Sequence, residues 1–241
     1  VLFMDDFESG DLSGWDGSFA ETGDSITASS AQAYSGSYSG RAEVDTVTDA
    51  QAMVWKNLSG YTSLRAAFRI YLSPAFATTD HVTVMQFLNG WTNLLSLTIN
   101  ADRTLYLWND VAGEAYGYLT TPVISTGTWH LLEFQATISP TAGEARLWLD
   151  GNLEVEQTGV NLGSSPIDRY AAGIYWTNPR TEANLLYIDE AALVQAHCFY
   201  FIPHYLFLLS GGAMMILVVG VDRLLALLTP VKCVDSRHQA M

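Results

Sequence analysis

The stretch Trp129–Gln157, WHLLEFQATISPTAGEARLWLDGNLEVEQ, decides the fold. It holds three runs and two groups of turn residues: Trp129–Ile138, Ser139–Gly143, Glu144–Leu149, Asp150–Asn152 and Leu153–Gln157. Apolar and polar residues alternate within each run, and this alternation, bounded by Pro, Gly, Asp and Asn, predicts strands joined by tight turns. The stretch therefore predicts an antiparallel meander, with Leu132, Phe134 and Ile138 in the core.

The same pattern continues on both sides of the meander. Further strands are predicted at Leu2–Phe7, 25–28, 37–44, 51–56, Leu64–Leu72, Val82–Leu88, Leu94–Asn100, Thr104–Asn109, Ile167–Trp176 and Asn184–Val194. Turn residues recur between them, and no helical periodicity appears before residue 195. About a dozen short strands of this kind predict an all-β fold, a two-sheet antiparallel jelly-roll sandwich.

The charge balance argues against one class of partner. The 241 residues include 25 Asp and Glu but only 11 Lys and Arg, and residues 1–197 carry eight basic and 23 acidic residues. Affinity for nucleic acid depends on cationic side chains that neutralise phosphates. We therefore expect no binding of DNA or RNA.

Three segments resemble a known family of domains. The opening DDFESGDLSGWD (Asp5–Asp16), the meander and the closing YIDEAALV (Tyr187–Val194) are similar to bacterial laminin-G-like, or concanavalin A-like lectin and glucanase, domains. The resemblance covers about residues 1–195 and implies a jelly-roll domain there. It leaves function open, because this fold hosts lectins, binding modules, glycosidases and polysaccharide lyases.

Strand alternation predicts a polar and aromatic sheet face. If Leu95, Leu97 and Leu107 are core residues, their sequence neighbours point the other way. The predicted ligand-binding residues on this face are Arg65, Arg69, Tyr71, Gln86, Thr98, Tyr106 and Trp108. Aromatic rings stack on sugars, and amides and guanidinium groups bind hydroxyls and carboxylates. The alternative is an ordinary solvated face with scattered aromatic residues.

Two enzymatic interpretations differ in how well the residues fit. A glycosidase needs two carboxylates that flank the bond, and Glu43-Val44-Asp45 lacks the third acid found in glucanases of this superfamily. Lyases of this fold pair Arg and Gln with a His or Tyr base, which would assign Arg65, Arg69, Gln86 and Tyr106. The expected histidine after the glutamine is absent in Gln86-Phe87-Leu88. His130 shares parity with the core residues of its strand and is interpreted as structural.

A cation site is a further prediction. First and last strands often pair in such folds, which would bring Asp5 and Asp6 close to Asp189 and Glu190. Adjacent carboxylates suit a hard cation such as Ca²⁺, which prefers oxygen ligands. The alternative is an acidic edge that discourages pairing with other chains.

The last residues, 196–241, have a different composition. Cys198–Val221 is a run of 24 residues without a formal charge, long enough to cross a bilayer as one α-helix. The basic residues beyond it favour a cytoplasmic end. The sequence therefore predicts a C-terminal hydrophobic transmembrane helix that places residues 1–195 outside the cell, at its surface.

This segment resembles the third transmembrane helix of rhodopsin-like G-protein-coupled receptors. The matching positions are Cys198, Asp222, Arg223, Ala226 and Pro230, whereas Leu224 departs from the receptor pattern. A receptor needs seven helices, so a receptor fragment fused to an unrelated β domain, without signalling activity, is one alternative. The main prediction is a non-catalytic, lectin-like domain that binds a polysaccharide or glycan, and the other alternative is a polysaccharide lyase.

Overall fold

The computed structural model describes residues 1–45, 50–76, 81–118, 123–177, 183–196, 205–210 and 213–218. Their strands are β1 (Phe3–Asp5), β2 (Gly17–Ala20), β3 (Ser25–Ser29), β4 (Ser39–Val44), β5 (Ala52–Tyr61), β6 (Ser63–Leu72), β7 (His81–Asn89), β8 (Thr92–Asn100), β9 (Leu105–Asn109), β10 (Glu114–Tyr116), β11 (Trp129–Thr137), β12 (Gly143–Leu149), β13 (Asn152–Val160), β14 (Ile167–Thr177), β15 (Asn184–Gln195), β16 (Tyr205–Ser210) and β17 (Ala213–Val218). The chain divides into two compact units, Val1–Ala196 and His197–Met241.

The first unit consists of two antiparallel sheets, as predicted. The eight-stranded sheet has the order β13-β12-β11-β6-β15-β4-β3, and β1 pairs with β15. The seven-stranded sheet has the order β10-β9-β8-β7-β14-β5-β2. The predicted meander is confirmed as β11-β12-β13 at the edge of the eight-stranded sheet.

The core lies between the two sheets and is built from alternate residues of their strands. In β6 these are Leu64, Ala66, Phe68, Ile70 and Leu72, all buried as predicted. Phe134 of β11 and Phe87 of β7 stack across the two sheets, with ring centroids 4.1 Å apart. The residues that alternate with these core residues along each strand point the opposite way and project from the outer faces of the sandwich.

The helix predicted over Cys198–Val221 is not found in the part of this stretch that the structure describes, residues 205–210 and 213–218. The described residues of this stretch form strands β16 and β17, which pair as a hairpin with Phe207 opposite Ile216. In the described part of the chain, no helix has the length and apolar character needed to cross a bilayer. The receptor-like residues Cys198, Asp222, Arg223, Ala226 and Pro230 lie outside the described residues.

Candidate active site

The structure divides the predicted ligand-binding residues between two sheets. Arg65, Arg69 and Tyr71 lie on β6, in the eight-stranded sheet. The other four lie on β7, β8 and β9 of the seven-stranded sheet: Gln86, Thr98, Tyr106 and Trp108. Each group has the parity opposite to that of the core residues, but the two outer faces point away from each other. The prediction of a single groove is therefore wrong, and so is the grouping of Arg65 and Arg69 with Gln86 and Tyr106.

The two arginines on β6 are engaged by neighbouring side chains. Arg65 donates to Glu133 at 2.8 Å and lies 4.0 Å from the centroid of the Trp148 ring. Glu133 is fully buried, and burial raises the pKa of its carboxyl although the charge of Arg65 opposes this shift. Arg69 lies 4.2 Å from the centroid of the Tyr34 ring and pairs with Glu190 at 3.5 Å. Both guanidinium groups therefore have an acidic and an aromatic partner within the eight-stranded sheet and its loops.

The outer face of the seven-stranded sheet carries a row of aligned residues. Strand register places five residues side by side across β5, β14, β7, β8 and β9: Trp55, Ala171, Gln86, Ser96 and Trp108. Neighbouring strands lie about 4.8 Å apart, so the row is about 19 Å long. Its polar centre, Gln86 and Ser96, is flanked by tryptophans, an arrangement that suits an extended sugar chain.

A hydrogen-bonded chain links the polar centre of this row to a carboxylate. The Gln86 Nε2 donates to Ser96 Oγ at 3.1 Å, and Ser96 Oγ donates to Asp110 Oδ2 at 2.8 Å. The Oε1 atom of Gln86 and the Oδ1 atom of nearby Asn93 are buried and have no hydrogen-bond partner. A buried acceptor without a partner costs about 1–3 kcal/mol, which makes these two atoms candidates for contact with a ligand.

Arg169 is held beside the row by two contacts. Its Nε donates to Asn57 Oδ1 at 3.1 Å, and its guanidinium carbon lies 3.8 Å from the centroid of the Trp91 ring. Its Nη1 is buried and has no hydrogen-bond partner. Trp91 is 53% exposed and also meets Trp55 edge-on at 5.2 Å. The guanidinium is therefore oriented before any ligand arrives, and its Nη1 group is left without a partner.

The hairpin that carries Trp91 is fastened to the strand that carries Arg169. Asp168 accepts hydrogen bonds from the Gly90 N–H at 2.6 Å and from Asn89 Nδ2 at 3.3 Å. Gly90 adopts a φ of 58°, a left-handed conformation that glycine takes without strain. The turn that carries Trp91 is thus held against β14 by the hydrogen bonds to Asp168.

Tyr175 and Asp110 share an electrostatic environment with Arg169. Burial raises the pKa of the Asp110 carboxyl, and hydrogen bonds from Ser96 and Asn93 partly offset this effect. Burial and the negative charge of Asp110 raise the pKa of Tyr175, while the positive charge of Arg169 lowers it. The Tyr175 phenol is therefore held in its neutral form, in which it donates a proton.

Small residues separate Arg169 from Tyr175 on this face of β14. Alternation places Ala171 and Gly173 between them. Gly173 has a φ of 121°, and a Cβ at this position would lie 2.4 Å from the Ala52 carbonyl oxygen, so no larger residue fits. This face of β14 therefore carries only small side chains between Arg169 and Tyr175.

The remaining predicted residues of this sheet are mostly buried among neighbours. The hydroxyls of Thr98 and Thr83 are 3.1 Å apart, and Tyr106 packs edge-on against Tyr118 at 5.2 Å. Trp108 is partly exposed at the end of the aligned row. Of the predicted residues, Gln86 and Trp108 thus belong to the exposed or unsatisfied part of this face.

The distribution of basic residues singles out Arg169. Seven of the eight basic residues in 1–197 are described: Arg41, Arg65, Arg69 and Arg146 in the eight-stranded sheet, Arg103 in the turn before β9, and Lys56 and Arg169 in the seven-stranded sheet. Lys56 pairs with Asp16 at 3.0 Å. Among the described strands of the seven-stranded sheet, Arg169 is thus the cation with a free donor for an anionic ligand.

The predicted cation site is not assembled. Strands β1 and β15 do pair, with Asp5 opposite Ala191. However, Asp189 accepts hydrogen bonds from the backbone of Tyr34 and Ser35, and Glu190 pairs with Arg69. Among the described residues, no group of three or more His, Cys, Asp or Glu side chains is placed to hold a metal ion. Calcium binding by Asp5, Asp6, Asp189 and Glu190 stays a prediction.

Comparison with known proteins assigns the chain to a family. The family model described as polysaccharide lyase matches residues 7–192. The chain belongs to this polysaccharide lyase family. A search of curated proteins found no match.

Several solved structures share the fold. An endo-β-1,4-glucuronan lyase from the fungus Trichoderma reesei has a TM-score of 0.65 at 16% identity, and the match covers 80% of this chain and 95% of that one. The cellulose-induced protein Cip1 also has a TM-score of 0.65, at 18% identity, with coverage of 80% and 96%. The alginate lyase vAL-1 from Chlorella virus has a TM-score of 0.52 at 11% identity, with coverage of 70% and 88%. At these identities the likeness establishes the jelly-roll fold.

Family membership corrects the main functional prediction. The prediction of a non-catalytic, lectin-like domain is wrong, because the family match favours a lyase-like enzyme even though the histidine expected after Gln86 is absent. Arg169 and Tyr175 are not among the candidate site residues predicted from the sequence. Alternation along the predicted strand Ile167–Trp176 could have found them, since both have the parity opposite to that of the apolar Tyr170, Ala172 and Ile174.

Proposed function

We propose that the outer face of the seven-stranded sheet cleaves a polysaccharide that contains uronate, by β-elimination. In this reaction the proton on the carbon next to the carboxylate passes to solvent, the bond to the glycosidic oxygen breaks as the carbon–carbon double bond of the unsaturated uronate forms, and Tyr175 protonates the departing oxygen. Tyr175 then regains a proton from solvent, so that the protons balance. The observation that carries the proposal is the set of buried, unpartnered polar atoms on this face: Gln86 Oε1, Asn93 Oδ1 and Arg169 Nη1.

Arg169 is assigned to the uronate carboxylate. Its free Nη1 can donate a charge-assisted hydrogen bond, which is stronger than one between neutral groups. Neutralising the carboxylate also stabilises the negative charge that develops when the neighbouring carbon loses its proton. Gln86 and Asn93 add amide groups at the same place, where they can orient the carboxylate and the hydroxyls next to it.

Tyr175 is assigned to proton transfer. Burial and the charge of Asp110 raise the pKa of its phenol, so the neutral form dominates and can donate to the departing glycosidic oxygen. Arg169 lowers the same pKa, so the residue that binds the carboxylate also tunes the acid. Trp55, Trp91 and Trp108 supply rings for stacking on sugars along the row.

A polymer panel tests this proposal. The full chain is incubated with polyglucuronate, alginate and neutral cellulose, and the unsaturated product is followed by its ultraviolet absorbance. We expect product from a uronate polymer and none from cellulose. Tyr175→Phe should lower kcat by about 10²–10⁴-fold, the usual contribution of a positioned acid or base.

Tyr61→Phe is the matched control, because Tyr61 ends β5 and its hydroxyl accepts a hydrogen bond from Ser59 at 3.3 Å. This variant should keep the wild-type rate. Absence of product from every uronate polymer would refute the proposal. Full activity of Tyr175→Phe would remove Tyr175 from the mechanism.

A further inference from the structure

The two hydrogen bonds that link Gln86, Ser96 and Asp110 run in the same direction, which depends on whether the Asp110 carboxyl carries a proton. When Asp110 is ionised, its carboxylate can only accept hydrogen bonds. The single hydroxyl proton of Ser96 is then donated to Asp110 at 2.8 Å. Ser96 Oγ can therefore only accept from Gln86, which turns the amide so that Nε2 bonds the serine at 3.1 Å and Oε1 is left over.

This orientation is the wrong one for an anion. A uronate carboxylate needs donors, but the free atom of Gln86 is an acceptor. Protonation of Asp110 reverses each step. The carboxyl then donates to Ser96 Oγ, the serine hydroxyl donates to Gln86 Oε1, and a half-turn of the amide directs the Nε2 hydrogens toward the ligand. One proton from solvent is added, and no covalent bond in Gln86 or Ser96 changes.

The surroundings of Asp110 make this protonation accessible. Burial already raises the pKa of its carboxyl. Tyr175 of β14 interacts electrostatically with Asp110, and Arg169 of the same strand interacts with Tyr175. Ser96 and Asn93 of β8, which hydrogen-bond to Asp110, are neutral. Glu114 of β10 accepts a hydrogen bond from the Tyr116 hydroxyl instead. A bound carboxylate adds a like charge, and a like charge nearby favours the protonated form of an acid.

We propose that binding of a uronate carboxylate on this face is coupled to the uptake of one proton by Asp110, which turns the Gln86 amide from acceptor to donor. This inference rests on the proposed function of the same face. Asp110 and Ser96 are then positioning residues, since they act on the ligand through Gln86. Because binding and protonation are reciprocally linked, the affinity of the protein for uronate should fall as pH rises. The fall should be up to about tenfold per pH unit in the range where binding takes up one full proton.

Calorimetry measures the coupling directly. Oligomers of β-1,4-linked glucuronate are titrated at neutral pH into the full chain with Tyr175→Phe, which slows cleavage during the titration, in two buffers that differ in ionisation enthalpy. The difference in heat gives the protons taken up, and each variant is measured in the same background. We expect uptake of up to one proton per bound oligomer when Asp110 is present, and close to none for Asp110→Asn. Ser96→Ala should bind more weakly than the wild type at low pH, because the amide can no longer be turned by the relay.

Two variants serve as controls. Asp102→Asn removes the same charge from an exposed turn of the same sheet, where Asp102 bonds Thr104, and it should keep the wild-type uptake. Ser63→Ala removes a buried serine that pairs with Thr137 in the other sheet, and it should keep the wild-type affinity. Thermal unfolding of each variant verifies that it is folded.

The outcomes separate this inference from the proposed function. Binding without proton uptake, or with equal uptake by Asp110→Asn, overturns the relay and leaves the lyase proposal standing. No binding of any uronate oligomer or polymer, together with no unsaturated product, overturns both.

Discussion

Replacement of Arg169 by alanine gives the sharpest test of the proposed site. In the structure, Nε of Arg169 is used by Asn57 and the face of the guanidinium by Trp91, which leaves Nη1 for the ligand. A hydrogen bond to a charged group contributes about 1.5–3 kcal/mol. Arg169→Ala should therefore lower kcat/KM for a uronate polymer by about 10- to 150-fold. Arg169→Lys keeps the charge but loses the planar group that stacks on Trp91, so its kcat/KM should lie between those of the wild type and of Arg169→Ala.

The assay is the initial rate of formation of unsaturated uronate over a range of polymer concentrations, at constant ionic strength. Arg146→Ala is the matched control, because Arg146 lies in the other sheet and pairs with Glu144 at 2.7 Å and Glu156 at 2.8 Å. It removes the same charge from the acidic domain and should change kcat/KM by less than about twofold, since exposed ion pairs contribute about 0–1 kcal/mol and this one is remote from the site. A kcat/KM for Arg169→Ala within about twofold of the wild type, or an equal loss in Arg146→Ala, would refute the assignment.

Three further predictions concern stability and the C-terminal segment. Phe134 is fully buried, so Phe134→Ala should lower the free energy of unfolding in urea by about 3–5 kcal/mol. Leu153 is 48% exposed, so Leu153→Ala should change the free energy of unfolding by less than about 0.5 kcal/mol. Equal losses in the two variants would contradict the assignment of Phe134 to the core. Burial raises the pKa of Asp189 from 3.8 to about 6, so the folded state binds the proton of this carboxyl more tightly than the unfolded state does. The stability that this group contributes is therefore lost as pH rises through that range. Asp189→Asn should flatten this decline of the free energy of unfolding with pH in urea melts, and an unchanged decline would contradict the pKa shift. The membrane association predicted for Cys198–Val221 requires that the full chain sediments with lipid vesicles and that a chain ending at Ala196 does not; equal sedimentation of both would contradict it.

Much of the fold could be predicted because alternation is a local property. Leu64, Phe68 and Ile70 are buried on one side of β6, and Arg65 and Arg69 project from the other, as the sequence indicates. Parity states which side of a strand a residue occupies, but it does not state which sheet the strand joins. Strands β6 and β7 are consecutive in the chain and lie in different sheets, which is why Arg65 and Gln86 were wrongly placed on one face.

The candidate site was only half predicted for a related reason. Gln86 and Trp108 come from the strand run 81–109, whereas Arg169 and Tyr175 come from β14, far along the chain. Strand β14 becomes a neighbour of β7 only through long-range pairing, with Ala171 opposite Gln86. The sequence lacks a histidine after Gln86, and the tyrosine assigned as the base of the lyase alternative was Tyr106 of another strand. In the folded chain, Tyr175 stands on the adjacent strand of the same face.

The sequence by itself determined an acidic all-β domain with two sheets, a meander at Trp129–Gln157 and a defined set of core residues, because strand formation follows from the local period of two. Tertiary structure alone decided which outer face carries the candidate site. Pairing of β14 between β7 and β5 brings Arg169, Tyr175, Gln86 and Asp110 together, and burial then leaves polar atoms without partners and shifts the pKa values of Asp110 and Tyr175. Both effects require neighbours that are distant in the chain, so no local pattern contains them.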